Sequence, residues 1–164
     1  MALTQVASGL IASVAASTLT GTQTIPKGTL PTGSVLQVVT ATTNNGGSYI
    51  STTSTSFVTT NFSVTITPSS ASNKIYLISS GIINSSSNNA RVTIYRGATN
   101  IGSSVGMSQT NLGGWAPYCV NYLDSPATTS ATTYTMYYLN GGGATAYWGG
   151  DGQLTSFTAL EISA

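Results

Sequence analysis

The 164-residue chain carries four basic and three acidic side chains, no histidine and one cysteine, against 52 Ser and Thr, 18 Gly and nine Tyr. That inventory excludes Ser–His–Asp and Cys–His catalysis, an intrachain disulfide and a His/Cys zinc site, so no cofactor is expected. A net charge of +1, with Lys27, Lys74, Arg91 and Arg96 spread along the chain, is too little for a nucleic acid or an anionic membrane surface, and no run is long and apolar enough for insertion into a bilayer.

Residues 1–34 read as an arm that is extended or partly helical. Leu3, Val6, Leu10 and Val14 recur at helical spacing, and Gly21, Pro26, Gly28, Pro31 and Gly33 end the pattern. So short a segment cannot bury its apolar face alone, which makes those four residues candidate anchor contacts on a partner. No basic residue precedes Lys27, so a secretory signal is not expected.

From Val35 the period becomes two. Val35 to Thr40 is apolar on both sides, as in a strand covered on both faces. Phe62, Val64 and Ile66 alternate with hydroxyls, and Pro68 to Asn73 is a turn. Lys74 to Asn84 is a long strand with Ile75, Leu77 and Ile83 on one face and Tyr76, Ile78 and Ile82 on the other, with a bulge expected at Gly81. A polar loop over 84–89, a strand over 91–96 and a loop over 102–114 follow. Strands are then expected over 115–124, 132–140, 144–148 and 154–162.

With no helical period between them, about eight or nine such strands give an all-β fold, an antiparallel β-sandwich of jelly-roll type over residues 35–164. Several strands are apolar on both faces, although a lone sandwich needs only one. That surplus points to an outer face covered by copies of the same chain.

Little here can carry chemistry. Asp124, Asp151 and Glu161 are the three carboxylates, and each reads better as structural: Asp124 in a turn, Asp151 at a hairpin tip, Glu161 paired with an arginine. Cys119 reads as a small buried apolar residue. The sequons at Asn61 and Asn84 read as chance in an Asn/Ser-rich chain. The aromatics Trp115, Tyr118, Tyr122, Tyr137, Tyr147 and Trp148 sit among Gly, Asn and Ser. Of these, Trp115, Tyr118, Tyr147 and Trp148 are candidate surface or ligand contacts.

Three phrases run in order through the first half of this region: Gly33-Ser34-Val35-Leu36-Gln37-Val38-Val39, Ser54-Thr55-Ser56-Phe57-Val58, and Ser63 to Ile75. Tyr122 to Tyr134 and Ala159-Leu160-Glu161-Ile162 follow. Together the text resembles tail-fibre and other surface proteins of tailed-phage virions. The resemblance implies a β-sandwich that assembles as a homotrimer on the particle, and it brings no catalytic residues. It points to a non-enzymatic capsid decoration or cement protein, made in the host cytoplasm and placed on the virion surface. Residues 1–34 would attach to other virion proteins such as the major capsid protein. A tail-fibre receptor-binding module that takes a host-surface glycan, and a cellular lectin or adhesin, stand beside it as alternatives.

Overall fold

Alternating Val, Ile, Thr and Tyr favour pleated strands with one buried face, and this preference sets the architecture. The computed structural model describes residues 30–87, 89–111 and 113–164. Among them are eleven strands: β1 (Val35–Thr43), β2 (Ile50–Thr52), β3 (Val58–Ile66), β4 (Lys74–Ser85), β5 (Ala90–Arg96), β6 (Thr99–Asn100), β7 (Ser108–Thr110), β8 (Trp115–Asp124), β9 (Thr132–Asn140), β10 (Ala146–Trp148) and β11 (Thr155–Ile162).

Two antiparallel sheets form the all-β sandwich. The first has the order β1-β11-β4-β10-β2, with β8 on the far side of β4; the second has the order β3-β9-β5-β6, with β7 also on β5. Strands distant in sequence pair in nested fashion: β1 with β11, β3 with β9, β4 with β8 and β5 with β7. This is the wrapping of a jelly roll.

The inward faces supply the core. Phe62, Val64 and Ile66 of β3 meet Tyr134, Met136 and Tyr138 of β9, Val92 and Ile94 of β5, and Ile75, Leu77, Phe157 and Trp148 of the other sheet. The expected division of β4 into two faces holds, and in β9 the alternating Tyr134, Met136 and Tyr138 all turn inward.

Several local expectations change. β1 is covered on one side only. It is an edge strand, and Val35 and Val38 are 51% and 56% exposed. No bulge occurs at Gly81, because β4 and β8 pair in continuous register from Ile75–Asp124 to Asn84–Trp115. Glycine is needed there for space: a Cβ would stand 2.6 Å from Thr155 Oγ1 and 3.0 Å from the Tyr118 hydroxyl. The irregularity lies in β3 instead, between Thr59 and Ser63, where Asn61 takes φ 59°. The expected loop over 102–114 contains β7, and β2 was not foreseen.

The ladder of β1 and β11 continues outward. Gly33 N–H donates to Ser163 O at 2.9 Å, and Thr32 Oγ1 donates to Ala164 O at 3.1 Å. The rest of the expected arm, with Leu3, Val6, Leu10 and Val14, lies outside the described residues.

Candidate functional site

The outer face of the first sheet holds the candidate site, and strand register builds it row by row. At one end, Val35, Ile162 and Lys74 lie side by side. The next row is Val38, Leu160, Tyr76 and Leu123, one residue from each of β1, β11, β4 and β8. Leu123 is 48% exposed. A third row, Thr40, Thr158, Ile78 and Asn121, begins a change to polar groups, and the fourth is Thr42, Ser156, Ser80 and Cys119. Hydroxyls pair across these rows, Thr40 with Thr158 at 3.0 Å and Ser80 with Ser156 at 3.1 Å.

At the far end, Asn84 of β4 sits between Trp115 of β8 and Tyr147 of β10. Tyr49 joins them from the turn before β2. Its ring lies 4.9 Å from that of Tyr147, edge-on at 84°, and 6.1 Å from that of Trp115. These four residues line an open cleft of about 250 Å³. One face thus carries an apolar end, a hydroxyl band and an aromatic corner.

Of the four aromatic candidates, the structure brings Trp115 and Tyr147 together at this corner. Trp148 and Tyr118 are corrected to core residues. Trp148 follows Tyr147 on a strand, so it must point inward; it is fully buried, packs 5.6 Å from Phe62 and donates Nε1–H to the Tyr118 hydroxyl at 3.1 Å. Burial pushes the Tyr118 hydroxyl up to about 12. Tyr137 stacks on Tyr95 at 3.9 Å on the outer face of the second sheet. Tyr49 and Asn84 belong to the corner and were not among the contact candidates, Asn84 being marked only as a chance sequon. Tyr49 is a lone aromatic after Gly46-Gly47, and Asn84 stands where the expected strand gives way to the expected loop. Cys119, expected to be buried, is exposed, because it points outward on β8.

The carboxylates resolve differently from expectation. Asp124, and not Glu161, takes the arginine: Arg96 Nη1 donates to its two oxygens at 2.9 and 2.8 Å, and the Tyr134 hydroxyl donates to Oδ2 at 2.7 Å. Burial first, and then this carboxylate, raise the Tyr134 hydroxyl well above the usual phenol range. Glu161 is fully buried and held by neutral donors: Ser69 N–H and Asn73 Nδ2 at 2.6 Å, and Ser69 Oγ and Gln37 Nε2 at 2.7 Å. Burial would raise its carboxyl, but these donors outweigh it and hold the group at about 2. Asp124 and Glu161 flank Ile75 on neighbouring strands, about 10 Å apart along the sheet. Asp151 takes φ 54° in the turn after β10, but that turn is not the expected hairpin tip, because β10 and β11 each pair with β4 and not with one another.

Among the described residues no three His, Cys, Asp or Glu side chains gather where they could hold a metal ion, and no helix is long and apolar enough to cross a membrane. Compared with known proteins, the chain matches no family model and no curated protein sequence.

Proposed function

We propose that this chain is a non-enzymatic structural protein of a tailed-phage particle, a homotrimer that decorates the capsid surface and works by burying surface between copies and against the shell. The observation that carries the reading is the row Val38, Leu160, Tyr76 and Leu123 on a face that the sandwich does not use for its own core. Val35 and Ile162 in the row before it and Ile78 in the row after it extend this apolar stripe, and a contiguous apolar patch on an outer face is a natural place for a partner to bind.

The chemistry suits a second copy. Lys74 is the lone charge in these rows, so bringing like surfaces together costs little repulsion. A three-fold ring sets the β1 edge of one patch against the β8 edge of the next, and both strands have a ladder partner on one side among the described residues. Residues 1–34, through Leu3, Val6, Leu10 and Val14, supply the contact to the major capsid protein.

Light scattering of the purified chain tests the assembly. A trimer is expected, and Val38→Asp with Leu123→Asp should give a folded monomer, since burial of each Val or Leu is worth roughly 1.5–3 kcal/mol. Electron microscopy of intact particles tests the location. Removing residues 1–29, which leaves the Gly33–Ser163 ladder intact, should abolish attachment and spare the trimer. A monomeric wild-type chain at micromolar concentration overturns the trimer, and absence of the protein from particles overturns the location.

A further inference from the structure

We propose that the aromatic corner is a binding subsite for one neutral pyranose, a hexose unit of a surface glycan, with Tyr49, Trp115 and Tyr147 as its walls and Asn84 as its polar contact. The rings make a cup. Tyr49 stands edge-on to Tyr147, and Trp115 is tilted 55° to Tyr49 and 51° to Tyr147. Rings set at such angles leave π-faces open, and Tyr49 is 55% exposed, a large aromatic that the fold itself does not need outside. The cleft of about 250 Å³ takes one sugar ring, not an extended chain.

Asn84 gives the cup its chemistry. Its neighbours in register are Trp115 on one side and Tyr147 on the other, and it points to the outer face between them. None of the described residues hydrogen-bonds its carboxamide. One acceptor and two donors are therefore free for a ligand. A pyranose offers matching parts: an apolar C–H face for a ring, and hydroxyls at the edge for an amide. No charged side chain lines the cleft, so neither an anionic sugar nor a cation has a counter-charge to meet.

The cup is also held in place. Tyr147 is paired on both sides, with Asn84 and with Ser51. Gly150 packs so closely under Tyr49 that an added Cβ would stand 2.9 Å from the Tyr49 Cβ. Preformed walls lower the ordering cost of binding. The hydroxyl band separates the cup from the apolar end, so the subsite does not depend on self-association.

The test titrates the full-length chain with methyl glycosides of glucose, galactose, mannose and N-acetylglucosamine, and with choline, following ligand saturation-transfer NMR and the Trp fluorescence. At least one pyranoside should bind saturably with a millimolar Kd, as suits a single small contact. Tyr49→Ala and Asn84→Ala should each weaken it by about tenfold or more, consistent with loss of an aromatic or hydrogen-bonded contact. Tyr49 stands outside the sheets, so its variant should melt as the wild type does. Both variants should remain trimeric, which keeps this result separate from the oligomer test. Absence of saturable binding by every pyranoside overturns the proposal. So does binding of choline in their place, or unchanged affinity in Tyr49→Ala and Asn84→Ala.

Discussion

Glu161 shows what a single buried charge asks of its surroundings. Four hydrogen bonds from Ser69, Asn73 and Gln37 replace its water. Its carboxyl sits at about 2 against an ordinary 4.5. A depressed folded-state value means that the unfolded chain takes up the proton first. The contribution to stability is therefore complete above about 4.5 and is lost as pH falls toward about 2. Its size is about 3 kcal/mol at 1.36 kcal/mol per unit. Urea unfolding should show this acid loss in the wild type. Glu161→Gln should be less stable at pH 7 and nearly flat across that window. An equal acid slope in both proteins would rule out the assignment. Trp148 makes a second case at this scale. Trp148→Ala should cost about 3–5 kcal/mol by thermal or urea unfolding, because it empties core space and leaves the Tyr118 hydroxyl without its donor. A drop in sugar binding for that variant would report lost folding, so Tyr49 is the better probe.

Strands were legible wherever alternation ran long enough. Phe62-Val64-Ile66, Ile75-Leu77 and Tyr134-Met136-Tyr138 each announce an inward face, and each one forms it. β2, β6 and β7 have two or three residues each, too few for any period, and exist because a longer neighbour pairs with them. Gly81 was read as a bulge because a glycine inside a strand has more than one meaning. Its actual role depends on Thr155, a residue 74 positions away that register brings under β4. Gly81→Ala should therefore destabilise the fold by about 1–3 kcal/mol through overpacking. Thr155→Ala, which removes the Oγ1 and Cγ2 that the new methyl meets, should recover much of that loss in the double variant. Thermal unfolding of the two single variants and the double one measures it, and additive losses would show that the crowding lies elsewhere.

At the scale of the whole molecule, the jelly roll has more apolar surface than its interior uses. The excess was visible as strands apolar on both faces, and the structure gathers part of it on one outer face. The position of that face was not legible, because it needs the order β1-β11-β4-β8 to set Val38, Leu160, Tyr76 and Leu123 in line. The aromatic corner has the same origin: Trp115 and Tyr147 stand out as residue types, whereas Asn84 joins them through sheet register and Tyr49 through the turn before β2. If copies associate through this surface as proposed, they do so by apolar burial with almost no charge in it, and this gives the proposed trimer a distinctive salt response. Charge-steered contacts weaken as the Debye length contracts from about 10 Å at 0.1 M to about 3 Å at 1 M. Burial of Val, Leu and Tyr is not screened, and an excluded salt such as sulfate strengthens it. Sedimentation equilibrium should therefore give a dissociation constant that is flat in sodium chloride from low to molar concentration and lower in sodium sulfate. Lys74→Ala should change neither trend. If sodium chloride instead dissociates the proposed trimer, the contact is made by one or more of the four basic residues with the few carboxylates, and the outer apolar row is not the interface.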